Sequence, residues 1–135
     1  MPTVLPQISP PIYENLTAWE NMKVRALLLG IPDEKIQKVL KTVDLTDTGK
    51  KKAGAFSLGM KQRLGIAAAV FEQPDIILLD EPTNALDESG ITMLENVIQD
   101  ETSRGATIVM ASHDMNFLHH CCSKIYTMRA GTLSL

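Results

Sequence analysis

The 135-residue sequence has few aromatic residues, no excess of positive charge and no long apolar run. Aromatic residues make up 4% of the chain, which disfavours recognition of nucleic-acid bases by stacking. The formal net charge is −3, so the composition gives no reason to expect a nucleic-acid partner. The longest uninterrupted apolar run, residues 66–71, is far shorter than the roughly 20 residues of a membrane-spanning helix. We therefore expect neither binding to nucleic acid nor direct insertion into a membrane.

The sequence is also poor in cysteine. The chain has only two cysteines, and they are the neighbours Cys121 and Cys122. An adjacent pair cannot join distant segments, which excludes a disulfide-stabilised scaffold. The first residues lack the basic and apolar regions of a secretory signal peptide. These observations predict a reducing, cytoplasmic setting.

The overall composition is that of an ordinary globular domain. Apolar residues make up 44% of the chain and charged residues 21%, so disorder is not expected. A single domain of this length can bury a hydrophobic core without disulfide or metal cross-links. The length excludes a self-contained transporter, channel or multidomain enzyme.

The first half of the chain predicts helices. Thr17 and Glu20 form a capping-box pattern at the start of a helix that Gly30 can end. An apolar stripe at helical spacing then predicts a second helix, and its members are Ile36, Val39, Leu40 and Val43. Residues 44–55 predict a loop, and Ser57 can cap a third helix that reaches Phe71.

The second half predicts alternating strands and helices. Residues 75–80 and 107–111 are short apolar runs typical of parallel strands that are buried on both faces. Further elements are expected as helices at 89–103 and 114–122 and a hairpin at 125–133. The order of elements predicts an α/β fold.

Acidic residues follow the first strand at the edge where parallel sheets bind ligands. A carboxylate at Asp80 could hold Mg²⁺, usually through water, and Glu81 could orient or deprotonate a water molecule. His113 follows the second strand, so adjacent parallel strands would place it at the same edge, where it could donate to a phosphate oxygen. Taken alone, the acidic pair is more simply a solvated turn, and His113 is more simply an ordinary surface or packed histidine.

The start of the third helix has the features of an anion site. Ser57 at the N-cap is followed by Gly59, so backbone N–H groups and the positive end of the helix dipole are accessible there. Glycine allows a phosphate to approach the backbone closely. A plain capped helix start is the simpler interpretation of this segment alone.

Together these segments resemble the motifs of ATP-binding cassette (ABC) proteins. The matching segments, in the order and at the spacing of that family, are the signature motif (56–63), the Walker B strand (76–80) with the catalytic glutamate Glu81, the D-loop region (82–87) and the H-loop (112–114). The amino-acid sequences of residues 15–21 and 56–63 most resemble those of export subunits of the bacitracin and lantibiotic resistance type.

The resemblance implies an α/β fold that contains part of a P-loop NTPase-like core. This part would be the C-terminal half of the core, with parallel strands, and an α-helical subdomain would accompany it. Residues 1–14 would be a remnant of the Q-loop region, 15–72 the helical subdomain ending in the signature helix, and 73–135 the C-terminal part of the ATPase core. Gln7 is the one candidate for the Q-loop glutamine, and its spacing is about one position off.

The resemblance also implies residue roles with ATP and Mg²⁺ as cofactors. Asp80 would help to hold Mg²⁺, Glu81 would activate water and His113 would contact the γ-phosphate. Ser57, Gly59 and Met60 would face the nucleotide of a second ATP-binding domain, arranged head to tail with this one. Asn84 and Asp87 would lie at the dimer seam. The helical stretch 15–55 would face a membrane-spanning permease, which would hold the protein at the inner face of the cell membrane.

The sequence departs from the family pattern in two ways. Leu58 stands where glycine is commonest in the signature, and Met60 stands where glutamine is commonest. The sequence also contains no Gly-x-x-x-x-Gly-Lys-Ser/Thr, the P-loop that cradles nucleotide phosphates. We therefore expect an N-terminally truncated ATP-binding subunit that is inactive alone.

Other functions stay open at this point. A non-catalytic module could pair with a complete ATPase subunit or with a permease, or the chain could be a gene remnant. An unrelated α/β domain that binds a metal or a small ligand is a third, remote interpretation.

Overall fold

The computed structural model describes residues 11–135. Gln7 and most of the predicted segment 1–14 lie outside the described residues. The elements run along the chain as α1 (Ala18–Leu29), α2 (Asp33–Thr42), a short 3₁₀ helix (Ala53–Ala55), α3 (Leu58–Phe71), β1 (Ile76–Asp80), α4 (Glu88–Ser103), β2 (Thr107–Ala111), α5 (Met115–Cys121), β3 (Thr127–Arg129) and β4 (Thr132–Ser134).

The predicted caps define the first helices. The Thr17 hydroxyl accepts from the Glu20 N–H at 3.1 Å, and the Glu20 carboxylate accepts from the Thr17 N–H at 2.9 Å. These hydrogen bonds lower the pKa of Glu20 below its usual range, with the bond from the backbone as the larger cause. Gly30 ends α1 with a φ of 68°, in the left-handed region that glycine adopts without strain.

The helices α1, α2 and α3 form a layer that shares one core with the strands. The stripe predicted on α2 is buried, and Ile36 and Val43 are fully enclosed. α3 packs against α1 and α2 of this layer and also against β1 and α4. A single cluster of buried apolar side chains therefore runs from Ala18 in α1 to Phe117 in α5.

The strands β1 and β2 pair in parallel, as predicted. Asp80 is opposite Ala111 at the carboxyl ends of the two strands. β3 and β4 form the predicted antiparallel hairpin, with its turn at Ala130 and Gly131, which have φ values of 49° and 81°.

The prediction that both strands are buried on two faces was wrong. Ile77 and Leu79 are buried on the face of β1 that α3 contacts. On the other face, Ile76 and Val109 are 48% and 53% exposed. Within residues 11–135 no second layer encloses this face, so the apolar runs that indicated two-sided burial form a half-exposed sheet.

Candidate active site

The carboxyl ends of β1 and β2 bring the predicted catalytic residues together. The Glu81 N–H donates to the Ala111 carbonyl at 2.7 Å, which extends the parallel pairing by one step. The Glu81 carboxylate lies 3.7 Å from Nε2 of His113, and it accepts a long 3.5 Å hydrogen bond from the His113 backbone N–H. The prediction that His113 shares the sheet edge with Asp80 and Glu81 is confirmed.

The two neighbouring carboxylates have different surroundings. Asp80 ends β1 with an exposed side chain, and it accepts no hydrogen bond from residues 11–135. Glu81 is 29% exposed at its side chain and is turned toward His113. The His113 side chain is fully exposed, so it is free to meet a ligand at this edge.

The backbone of Glu81 leaves the strand conformation. Its φ is 47°, in the left-handed region, which is uncommon for a residue with a β-carbon. Such residues are concentrated at functional sites, where neighbouring contacts hold them in place. Pro82 follows and is fully buried, and a residue before proline is normally steered to an extended conformation with negative φ.

The start of α3 lies beside this edge. The Ser57 hydroxyl caps the helix by accepting from the Met60 N–H at 3.2 Å. The N–H groups of Leu58 and Gly59 precede the first intrahelical hydrogen bonds and remain available to an anion. Leu58 is 75% exposed, so this end of the helix presents an apolar side chain to the surroundings.

Gly59 is needed for a reason that the sequence did not reveal. A β-carbon added there would lie 2.8 Å from the Ala85 carbonyl oxygen, closer than real β-carbons approach. Glycine therefore allows the helix start to pack directly on the loop after β1. This packing requirement is additional to the phosphate approach predicted from the sequence.

The loop 81–87 also orders the two residues predicted at a dimer seam. The Asn84 N–H donates to the Glu81 carbonyl at 3.1 Å, and the Asn84 side chain is exposed. Asp87 is the N-cap of α4 and accepts from the Gly90 N–H at 2.9 Å. The hydrogen bond from Gly90 is the largest cause of a lowered pKa at Asp87, followed by that from Ser89.

The side chains of the described residues form no complete metal site by themselves. Within residues 11–135 no group of three or more histidine, cysteine or acidic side chains is placed to hold a metal ion. Asp80 has an exposed carboxylate that no residue of 11–135 pairs with, and it still fits the requirement for one protein ligand to a Mg²⁺ ion. The other ligands would have to be water and phosphate oxygens, which is the usual coordination of Mg²⁺ in nucleotide sites.

Comparison with known proteins identifies the family. The family model described as ABC transporter matches residues 3–84, more than half of the chain. The chain belongs to the ABC transporter family. The resemblance carried by the sequence motifs is thereby confirmed.

The curated relatives include ATP-binding proteins of lantibiotic and bacitracin transport. The lantibiotic transport ATP-binding protein SrtF of Streptococcus pyogenes is 41% identical over 126 residues, which is 93% of this chain and 55% of SrtF. The bacitracin transport ATP-binding protein BcrA of Bacillus licheniformis is 40% identical over 126 residues, 92% of this chain and 41% of BcrA. The chain thus spans about half the length of the curated relatives that it matches.

A solved structure supports the fold. The chain is similar to a structure titled "Structure of ATP binding subunit of ABC transporter", with a TM-score of 0.75 and 26% sequence identity, over 87% of this chain and 50% of that one. The predicted fold, a partial P-loop NTPase-like α/β core with parallel strands and a helical layer, is confirmed. Among the described residues, none of the helices has the length and apolar character needed to span a bilayer.

Proposed function

We propose that this chain is part of the ATP-binding subunit of an ABC exporter for a peptide antibiotic or a similar substrate. The observation that carries the proposal is the contact of Glu81 with His113 at the carboxyl edge of the parallel sheet, beside the capped start of α3. The relatives named for lantibiotic and bacitracin transport support the substrate class.

In the proposed reaction, the chain's own residues bind phosphate and prepare water. Mg²⁺, when bound, would neutralise phosphate charge. Asp80 would supply it with one carboxylate ligand. Glu81 would accept a proton from the attacking water as a general base, and the exposed imidazole of His113 would donate to the γ-phosphate.

The second part of the proposal concerns the start of α3. Ser57, the free N–H groups of Leu58 and Gly59, and the Met60 backbone would face the nucleotide of a second ATP-binding domain. Asn84 and Asp87 would lie at the seam between the domains. The exposed Leu58 supports this arrangement, because a partner surface would cover it.

The proposed organisation has two parts, residues 15–72 as the helical subdomain and residues 73–135 as the C-terminal part of the ATPase core. Residues 15–55 would face a membrane-spanning permease. The protein would then be cytoplasmic and held at the inner face of the membrane by that permease.

Hydrolysis is tested in a chimera in which the N-terminal, P-loop-bearing part of a lantibiotic-type relative precedes this chain. We expect Glu81→Gln to lower kcat by about 10²- to 10⁴-fold, the usual contribution of a general base. Glu88→Gln is the matched control, because Glu88 is an exposed carboxylate in the first turn of α4. Equal activity of the Glu81 variant and the unaltered chimera would contradict the catalytic assignment.

The chain by itself is expected to bind Mg-ATP weakly or not at all and not to hydrolyse it. The reason is that the 135 residues contain no P-loop to cradle the phosphates. Equilibrium binding and phosphate release measure this directly. Sub-millimolar affinity together with turnover that Glu81→Gln abolishes would refute the expectation.

The alternative function, a non-catalytic module that pairs with a complete ATPase subunit, is favoured by the exposed start of α3. The purified chain would then associate with a complete subunit only when Mg-ATP is present. Ser57→Glu should abolish this association by placing a negative charge against the phosphates, whereas Ser103→Glu, at the exposed end of α4, should not. Association that ignores ATP or survives Ser57→Glu would exclude pairing through this surface.

A further inference from the structure

One face of α3 contacts the loop 81–87, which begins with the proposed catalytic residue Glu81. Gly59, Gln62 and Arg63 lie at i, i+3 and i+4, so they share a face of the helix. Gly59 packs on the Ala85 carbonyl, and Arg63 reaches Asp87 at the far end of the loop. Gln62 lies between them and meets Glu81 itself.

The contact between Gln62 and Glu81 is a directed hydrogen bond. Nε2 of Gln62 donates to the Glu81 carbonyl oxygen at 3.1 Å, and the side chain is partly buried. The same carbonyl accepts from the Asn84 N–H at 3.1 Å, while the Glu81 N–H is held by Ala111 at 2.7 Å. Hydrogen bonds therefore fix the polar backbone groups on either side of the Glu81 α-carbon.

These bonds oppose the intrinsic preference of the backbone. A glutamate before proline favours an extended conformation with negative φ, yet Glu81 has a φ of 47°. This conformation directs its carboxylate toward His113. Among the hydrogen bonds that residues 11–135 make to this residue's backbone, the one from Gln62 alone comes from a side chain, so it can be removed by substitution.

We propose that Gln62 is a positioning residue: its hydrogen bond to the Glu81 carbonyl keeps Glu81 in the left-handed conformation that places the carboxylate at His113. The catalytic consequence rests on the proposed function of Glu81. Because Gln62 is on the helix whose first turn presents Ser57 and Gly59, it also links that surface to the glutamate of the same chain.

The structural test uses the 135-residue chain and nuclear magnetic resonance. A positive φ gives a strong nuclear Overhauser effect between the amide and α protons of the same residue. We expect Gln62→Leu, which keeps the bulk and removes the donor, to lose this signal at Glu81. Gln62→Lys restores a donor at similar reach and should retain the signal. Gln37→Leu, at an exposed position on α2, is the control and should also retain it.

Persistence of the full signal in Gln62→Leu would overturn the proposal. Loss of the signal in Gln37→Leu would overturn it as well, since the effect would then not depend on the donor at residue 62. Recovery in Gln62→Lys shows that the effect comes from the hydrogen bond and that a general loss of folding is not its cause.

Turnover of the chimera separates this proposal from the proposed function. We expect Gln62→Leu to lower kcat by on the order of tenfold to a hundredfold with little change in KM, since misplacement of a reacting group acts on the chemical step. If Glu81→Gln abolishes turnover and Gln62→Leu leaves kcat unchanged, the positioning role is overturned and the function stands. If Glu81→Gln has no effect, the function fails, and the signal at Glu81 still decides the role of Gln62.

Discussion

Two glycines of α3 allow the packing between this helix and the loop 81–87 to be measured. Gly59 and Gly65 lie in the same helix, so an alanine at either position brings a more favourable helix former. At Gly65 the added β-carbon would meet nothing within 4 Å, whereas at Gly59 it would lie 2.8 Å from the Ala85 carbonyl oxygen. The two substitutions are chemically identical and differ in this contact.

The expected effects on the free energy of unfolding have opposite signs. Gly65→Ala should stabilise the chain by about 0.5–1 kcal/mol, because glycine costs that much in a helix interior. At Gly59 the same gain is reduced by its place in the first turn, and the neighbour that must move is a backbone carbonyl. Overpacking of this kind costs about 1–3 kcal/mol. We therefore expect Gly59→Ala to be destabilising, with a difference of about 2 kcal/mol between the two variants.

Urea unfolding measures both variants. Circular dichroism follows the helices, and the fluorescence of the single tryptophan, Trp19, follows the helical layer. The slope of the transition should be unchanged, so the shift in midpoint gives the change in stability. If Gly59→Ala stabilises the chain as much as Gly65→Ala, then the helix and the loop do not pack as described and the reasoning is refuted.

Two further predictions concern the loop and the sheet. Asp87→Ala should lower the midpoint of thermal unfolding, whereas Asp87→Asn, which can still accept from the Gly90 N–H, should lower it less. The pKa of Asp87 in the folded chain is below its usual value of 3.8, so its charge contributes stability above pH 3.8, and this contribution is lost as the pH falls through the lowered pKa. Thermal melts between pH 2 and pH 6 would detect the loss. Identical pH profiles for the native chain and Asp87→Asn would contradict this assignment. Because Val109 and Ile76 are exposed apolar residues on the open sheet face, we expect the chain to associate as its concentration rises in size-exclusion chromatography and Val109→Lys to reduce this association. A chain that stays monomeric, or association that Val109→Lys leaves unchanged, would contradict this prediction.

Short-range rules predicted the helix caps, although the rule for a residue before proline failed at Glu81. Capping by Thr17 and Ser57 depends on neighbouring residues alone, and the two caps formed where expected. The shared position of Asp80, Glu81 and His113 followed from one topological rule about parallel strands. Capping needs no knowledge of distant contacts, and the prediction for the sheet edge needs only that the two strands pair.

The features that the sequence did not predict depend on contacts that no residue pattern marks. Asn21 is buried, and its side chain bonds to the backbone of Tyr13, Leu16 and Thr17, which fixes the chain entering α1. An asparagine inside a helical pattern gives no sign of such a role. The open face of the sheet was missed for the same reason, since an apolar strand does not reveal whether anything covers it.

The hydrogen bonds and packing of α3 connect two surfaces of this chain. Its outer end presents Ser57 and the exposed Leu58, while its inner face holds Glu81 through Gln62 and packs on Ala85. A helix moves as a rigid unit over so few residues, so a shift of its first turn must either carry the loop with it or break these contacts. A ligand that binds the outer end can therefore alter the position of Glu81 at the sheet edge without touching Glu81. The free energy available for this coupling is limited to the difference in the ligand's binding free energy for the two positions of the helix.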